Sequence, residues 1–167
     1  MKLYILRHGI AVEPGTPGYE TDADRPLTSE GERKMRQIAG AMEALELSFD
    51  LILSSPYLRA RQTAEIVAEV LKARKKLELS DSLTPNGSTK KLVELLNSIK
   101  PSPESVLLVG HEPFLSGLIS LLVSGREDFT VVMKKGGFCK LSTESLKPGH
   151  CAALEWLMTP KQMALMR

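Results

Sequence analysis

Two histidines and two arginines of this chain stand where their side chains can act together on a small anion. His8 and His111 each follow a short apolar run, and each adjoins a glycine. Arg7 directly precedes His8, and Arg59 lies near the start of a helical segment. Imidazole and guanidinium groups supply N–H donors and positive charge, which is the chemistry that binds a phosphate dianion. We expect a phosphate site if the fold brings these four side chains together.

Each of these residues also has an ordinary structural explanation when it is considered alone. A histidine at a strand end is more often a hydrogen-bonded structural residue than a catalyst. An arginine in the first turn of a helix is usually a solvated charge. The prediction of a phosphate site therefore depends on the placement of all four residues together and not on any one of them.

The apolar runs that precede these residues predict strands of a parallel sheet. The segments 3–6 and 106–109 are short and continuously apolar, and the segment 50–53 has three apolar residues after Asp50, as expected for strands that are buried on both faces. Ligands of such sheets bind outside the carboxyl ends of the strands. His8 and His111 follow the first and third of these runs, so we expect both side chains to project into one crevice.

Helical spacing of apolar residues predicts a helix that begins after the N-cap Thr28 and three further helices over about 57–72, 89–99 and 114–123. The segment 13–26 is rich in Gly, Pro and Asp and is expected to be a flexible loop near the site.

The last forty residues predict two strands, 137–141 and 152–157, joined by a turn at Pro148-Gly149. Together these elements predict an α/β fold. It is a three-layer α/β/α sandwich with a mostly parallel central sheet and a C-terminal antiparallel hairpin, in a single domain over residues 1–167.

Composition excludes several classes of function. Lys and Arg number 22 against 20 Asp and Glu, which gives a net charge of +2, and aromatic residues make up 5%. This balance argues against a nucleic-acid partner.

No apolar run approaches the roughly 18 residues of a membrane span, and no secretory signal is evident, so we expect a cytoplasmic protein that does not bind membranes. Cys139 and Cys151 lack metal-ligand or disulfide-framework spacing, and no metal or cofactor is expected.

Three segments of the chain together resemble the histidine phosphatase superfamily, which has the phosphoglycerate mutase-like fold. The likeness extends from residue 2 to the C-terminus. The segments occur in the same order as in the family, each on the expected element, and they are Leu6-Arg7-His8-Gly9, residues 54–64 and Val109-Gly110-His111-Glu112.

Within this superfamily the chain looks most like the SixA-type phosphohistidine phosphatases. The small size of the chain supports this likeness. Further markers are Arg25-Pro26-Leu27-Thr28 with Gly31, Leu83-Thr84-Pro85 with Gly87, and Trp156 with Pro160.

The resemblance implies a role for each site residue. His8 would be the nucleophile that attacks phosphorus. Arg7 and Arg59 would hold the phosphoryl oxygens, and His111 and Gly9 would complete the phosphate site. An imidazole must be neutral to attack, and we expect the two arginines to lower the pKa of His8.

The proton donor for the leaving group is where the sequence departs from part of the superfamily. Many members that act on phosphate esters place a glutamate after the second helix, and residues 81–85 contain none. Glu112 resembles an acid of a related branch. It either donates the proton or favours the positive N-terminus of the following helix, and the sequence leaves these alternatives open.

This departure favours a substrate whose leaving group needs little acid assistance. Imidazole accepts a proton near pKa 6.5, whereas an alkoxide requires a strong acid catalyst. The expected substrate is phosphohistidine on a histidine-phosphotransfer or signalling protein, which a monomeric enzyme with an open pocket can reach. The alternatives are a phosphatase of small phosphate esters, such as sugar or nucleotide phosphates, and a non-catalytic module that binds phosphorylated ligands.

Overall fold

The computed structural model describes residues 1–166, and within them six strands form one sheet between two layers of helices. The strands are β1 (Lys2–Arg7), β2 (Leu51–Ser54), β3 (Leu77–Leu79), β4 (Ser105–Gly110), β5 (Phe138–Ser142) and β6 (Ala153–Met158). The helices are α1 (Ser29–Ala44), α2 (Leu58–Val70), α3 (Thr89–Ser98), α4 (Phe114–Ser124) and the single turn α5 (Pro160–Met163).

The order of strands across the sheet is β3-β2-β4-β1-β5-β6. The first four strands along the chain pair in parallel, whereas β5 pairs antiparallel with both β1 and β6. The predicted fold class is therefore confirmed, including the mostly parallel sheet and the C-terminal hairpin. Because β2 and β1 both flank β4, their carboxyl ends lie on either side of the residue that follows β4.

Alternate residues of the central strands feed two separate cores. Leu3 and Ile5 of β1 pack in the core that α3 and α4 cover. Tyr4 and Leu6 pack in the core beneath α1, α2 and α5. Burial of both strand faces explains why the apolar runs were continuous rather than alternating. Among the helices within residues 1–166, none is long and apolar enough to cross a lipid bilayer.

The start of α1 is fixed by a close approach between two backbone segments. The Thr28 side chain accepts a hydrogen bond from the Gly31 N–H at 3.0 Å, and the Thr28 N–H donates to the Ile10 carbonyl at 3.0 Å. A Cβ added at Gly31 would collide with that same carbonyl oxygen. Glycine is thus required here so that the helix can lie directly against the segment that follows His8.

This close approach predicts opposite effects for two glycine substitutions in helices. Gly31→Ala should destabilise the fold by about 3 kcal/mol because the backbone must shift to accept the methyl group. Gly117→Ala, in α4, has no atom within 4 Å of the added Cβ and should be neutral or up to about 1 kcal/mol stabilising. Urea denaturation of both variants measures the difference. Equal effects of the two substitutions would contradict the proposed contact.

Candidate active site

His8 follows β1 and is held in one tautomer by its neighbour. Its Nδ1 lies 2.8 Å from the Gly9 carbonyl oxygen, and its side chain is buried. Because a carbonyl oxygen only accepts hydrogen bonds, Nδ1 carries the ring proton. The Nε2 atom of the neutral ring therefore presents a lone pair, which is the arrangement of a nitrogen nucleophile.

Arg59 presents its guanidinium to this lone pair from the first turn of α2. Its Nε–H donates to His8 Nε2 at 3.3 Å, and its Nη1 and Nη2 groups donate to the backbone oxygen and a carboxylate oxygen of Asp22 at 2.6 and 2.9 Å. Thr63, one helical turn later, accepts from the Gly9 N–H at 3.1 Å and donates to the Arg59 carbonyl at 2.7 Å. This threonine ties α2 to the end of β1 and so fixes Arg59 against His8.

His111 follows β4 and faces His8 across the site, with the two ring centroids 5.0 Å apart. Its Nε2 lies 2.8 Å from the Ser55 hydroxyl oxygen at the end of β2. Its Nδ1 is buried and has no hydrogen-bond partner among the residues that the structure describes. The Tyr57 ring packs edge-on against His111 at 5.3 Å, and the Arg59 guanidinium carbon lies 5.4 Å from the centre of the same ring.

Arg7 is anchored by the segment before β5. Its Nη1 donates to the Met133 carbonyl at 2.7 Å, and the Gly136 N–H contacts the carbonyls of Arg7 and His8, each at 3.1 Å. Arg7 Nε is buried and, within residues 1–166, lacks a hydrogen-bond acceptor. Buried polar groups are normally hydrogen-bonded. Arg7 Nε and His111 Nδ1 are therefore exceptions that a structural role alone does not explain.

The parallel-sheet topology thus brings His8, Arg59 and His111 into one cluster, and Arg7 adjoins it through β1. Gly9 is different, because its N–H is already used by Thr63 and is not available to an anion. A Cβ at Gly9 would lie 2.7 Å from Met35 Cγ, so close packing against α1 explains this glycine. Over residues 1–166, no group of three or more His, Cys, Asp or Glu side chains could hold a metal ion.

Both histidines of the cluster are electrically neutral at ordinary pH. Burial, which is the largest cause, acts with the nearby His111, Arg59 and Arg7 to lower the pKa of His8 to about 2, against a hydrogen bond to Gly9 that raises it. Burial, followed by the charge of Arg59, lowers the pKa of His111 to about 3. The predicted direction for His8 is correct, but the expected cause was incomplete because desolvation outweighs the arginines.

Asp22 is a component of the site that the sequence did not predict. Its carboxylate accepts from Arg25 Nε and Nη2 at 2.9 and 2.6 Å and from Arg59 Nη2 at 2.9 Å. Partial burial works to raise its pKa, but the hydrogen bonds from both arginines prevail and hold the pKa below its ordinary value. The segment 13–26, expected to be a flexible loop, is thereby bound to the site. The Asp22–Arg25 spacing signals a local ion pair, but nothing in the sequence points to Arg59.

Glu112, the candidate proton donor, is engaged with the helix that follows it. Its Oε1 accepts a hydrogen bond from the Ser116 N–H in the first turn of α4 at 3.0 Å. This contact corresponds to the structural alternative, in which an acidic side chain compensates the N–H groups at a helix N-terminus.

Known sequences and solved structures that are similar to this chain include histidine phosphatases. A family model described as the histidine phosphatase superfamily (branch 1) matches residues 3–85. An uncharacterized protein of Picosynechococcus sp. is 37% identical over 142 residues, which cover 84% of each chain. Phosphohistidine phosphatase SixA of Escherichia coli is 31% identical over 126 residues, which cover 75% of this chain and 76% of that protein. A structure of the protein histidine phosphatase SixA complexed with tungstate superposes with a TM-score of 0.80 and 27% identity, covering 96% of this chain and 98% of the other.

The neutral histidines predict how stability depends on pH. Unfolded histidine binds a proton below about pH 6.5, whereas His8 resists protonation until far lower pH, so acid favours the unfolded state. Relative to His8→Asn, the wild-type protein should lose about 1.4 kcal/mol of unfolding free energy for each pH unit below 6. Urea denaturation at pH 7, 6 and 5 measures both slopes. Parallel curves for the two proteins would contradict a buried neutral His8.

Proposed function

The chain belongs to the histidine phosphatase superfamily, and we propose that this phosphatase removes phosphate from phosphohistidine on other proteins through an intermediate on His8. The observation that carries the proposal is the geometry of His8. Its Nδ1 contact with the Gly9 carbonyl leaves the lone pair on Nε2, and Nε2 lies within hydrogen-bonding distance of Arg59. The named SixA relatives are phosphohistidine phosphatases, which supports the same substrate class for this chain.

In the first step, His8 Nε2 attacks the phosphorus atom, and the bond from phosphorus to the substrate imidazole breaks as the new N–P bond forms. The Nδ1–H of the phosphorylated ring keeps its hydrogen bond to the Gly9 carbonyl, which stabilises the positive charge that the ring gains. The leaving imidazole takes up a proton from solvent. In the second step, water attacks phosphorus, and His8 leaves as a neutral ring with release of inorganic phosphate.

Arg59, Arg7 and His111 bind the phosphoryl oxygens in this proposal. Arg59 Nε, which now donates to the lone pair of the nucleophile, transfers its hydrogen bond to a phosphoryl oxygen when substrate enters. Arg7 Nε and His111 Nδ1, which have no hydrogen-bond partner within residues 1–166, supply two more donors. Fixed donors that need no reorganisation stabilise the charge on the equatorial oxygens in the transition state.

The state of the nearby carboxylates supports phosphohistidine over a phosphate ester. Asp22 accepts hydrogen bonds from two arginines and has a lowered pKa, so it is a poor acid. Glu112 accepts the Ser116 N–H. A leaving alkoxide requires a well-placed acid, whereas imidazole is basic enough to be protonated by solvent near neutral pH. The partner is accordingly a phosphorylated protein such as a histidine-phosphotransfer domain, and the unpaired Cys139 and Cys151 favour a cytoplasmic location.

The proposal predicts a radiolabelled phosphoryl group on His8 during turnover of a phosphorylated histidine-phosphotransfer domain. Samples of wild-type protein quenched in alkaline detergent, which preserves the acid-labile N–P bond, should carry the label, and His8→Ala should carry none and lose turnover. His150→Ala is the matched control, since His150 lines a surface pocket with Met1 and Lys2 at the amino end of β1, whereas His8 follows the carboxyl end of that strand. The label should appear as in wild type in that variant.

The same experiment measures substrate class. Turnover of the phosphohistidine protein, compared by kcat/KM with a panel of sugar and nucleotide phosphates, should be faster by at least a hundredfold. Labelling of His8 with equal or faster turnover of the esters would retain the nucleophile but replace the substrate by a small phosphate ester. Absence of any label with retained phosphate binding would indicate a binding module.

The contact of Glu112 predicts a structural rather than catalytic effect of Glu112→Gln. The amide retains an acceptor for the Ser116 N–H but loses the negative charge, so unfolding free energy should fall by about 0.5 kcal/mol. Turnover of the phosphohistidine protein should stay within about twofold of wild type. A decrease of a hundredfold or more, the size expected for loss of a general acid, would assign proton donation to Glu112 instead.

A further inference from the structure

The Ser55 hydroxyl and the His111 ring form a buried pair that the reaction scheme above leaves unexplained. The Ser55 oxygen lies 2.8 Å from His111 Nε2, and both side chains are almost fully buried. Ser55 is the residue that follows β2, and His111 is the residue that follows β4, so neighbouring parallel strands fix the two side chains relative to each other.

The hydrogen-bond partners of Ser55 determine the direction of this hydrogen bond. The Ser55 oxygen accepts the Tyr57 N–H at 3.3 Å. The hydroxyl proton then needs an acceptor, and among the contacts that the structure describes for this hydroxyl, His111 Nε2 is the one that can accept. If Nε2 instead carried the ring proton, the Ser55 hydroxyl proton would be buried with no acceptor, a cost typical of unsatisfied buried groups.

Because His111 is neutral, the direction of its hydrogen bond with Ser55 determines whether Nδ1 is a donor or an acceptor. Its ring is neutral, because burial holds its pKa far below the ordinary value. A neutral imidazole has one N–H and one lone pair, and the hydrogen bond made by one nitrogen sets the role of the other. With the ring proton on Nδ1, this buried nitrogen is a hydrogen-bond donor. With the ring proton on Nε2, Nδ1 would instead direct a lone pair at the lone pairs of a phosphoryl oxygen.

We propose that Ser55 is a positioning residue that donates to His111 Nε2, thereby holding the ring proton on Nδ1, where it donates to a phosphoryl oxygen. Ser55 thus acts on the phosphoryl group through His111 and does not touch it. The tautomer makes His111 a neutral donor beside the two cationic arginines. It adds a hydrogen bond to the transition state without adding a third positive charge to a desolvated cluster.

The inference rests on the proposed role of His111 in binding the phosphoryl group, but it does not depend on which leaving group departs. Its decisive measurement needs no substrate, so its failure can be told apart from failure of the proposed function. A wrong tautomer with His8 still labelled would overturn the inference alone. Loss of His8 labelling with the expected tautomer would overturn the function alone.

The test is NMR of the full chain with ¹⁵N-labelled histidine, in which long-range ¹H–¹⁵N couplings distinguish the two neutral tautomers. His111 in the wild-type protein should have its proton on Nδ1 between pH 6 and 8. In Ser55→Ala, the Nδ1–H population should decrease, and the Nε2–H form should appear. A wild-type ring protonated on Nε2, or a Ser55→Ala spectrum unchanged from wild type, would overturn the proposal even before any kinetic measurement.

Kinetics and anion binding then test the consequence. Ser55→Ala should reduce kcat on the order of tenfold, with little change in KM for the phosphoprotein, and weaken binding of tungstate by a similar factor. Ser54→Ala is the matched control, since that hydroxyl is equally buried but donates to the Ser55 carbonyl, and it should leave the His111 tautomer and tungstate binding unchanged. Ser55→Thr retains the hydroxyl and should restore the Nδ1–H form. A shifted tautomer with unchanged kcat and tungstate binding would overturn the directing role.

Discussion

The site depends on one electrostatic constraint, which is that two guanidiniums share a largely desolvated cluster with two imidazoles. Arg59 is 3% exposed and lies within hydrogen-bonding distance of His8. A third positive charge in such a place would be expensive, so burial and mutual repulsion keep both rings neutral. Neutrality leaves each ring with one N–H and one lone pair, and the proposed roles of His8 and His111 both depend on this.

Asp22 compensates the positive charge of Arg59 within this cluster. Its carboxylate and its backbone oxygen together accept two of the guanidinium nitrogens of Arg59, and Arg25 in turn holds the carboxylate. These hydrogen bonds hold the Arg59 guanidinium against His8. An incoming phosphoryl group offers oxygens of the same charge and hydrogen-bonding capacity, so it can share the guanidinium with Asp22 without leaving Arg59 unpaired.

Much of the fold and the four central residues could be predicted because they follow from local patterns and one topological rule. Continuous apolar runs identified β1, β2 and β4, and the rule for parallel sheets placed His8 and His111 together. The contacts that refine the site lie outside such patterns. Asp22 meets Arg59 across 37 residues of chain, and Arg7 is anchored by Met133 across 126. Those pairings depend on how the loops pack, which neither composition nor periodicity encodes.

The neutral, acid-poor character of the site also links its electrostatics to its choice of leaving group. A cluster that disfavours protonated imidazole stabilises neither an acidic histidine nor an acidic carboxylate, because the arginines lower the pKa of Asp22 as well. Such a site can stabilise a phosphoryl group during its transfer, but it gives little acid assistance to a departing alkoxide. Exchange of phosphate between two imidazoles needs only the first of these abilities, since bond making and bond breaking involve the same kind of nitrogen. The same constraint thus supports both the proposed role of His8 as the nucleophile and the proposed preference for phosphohistidine.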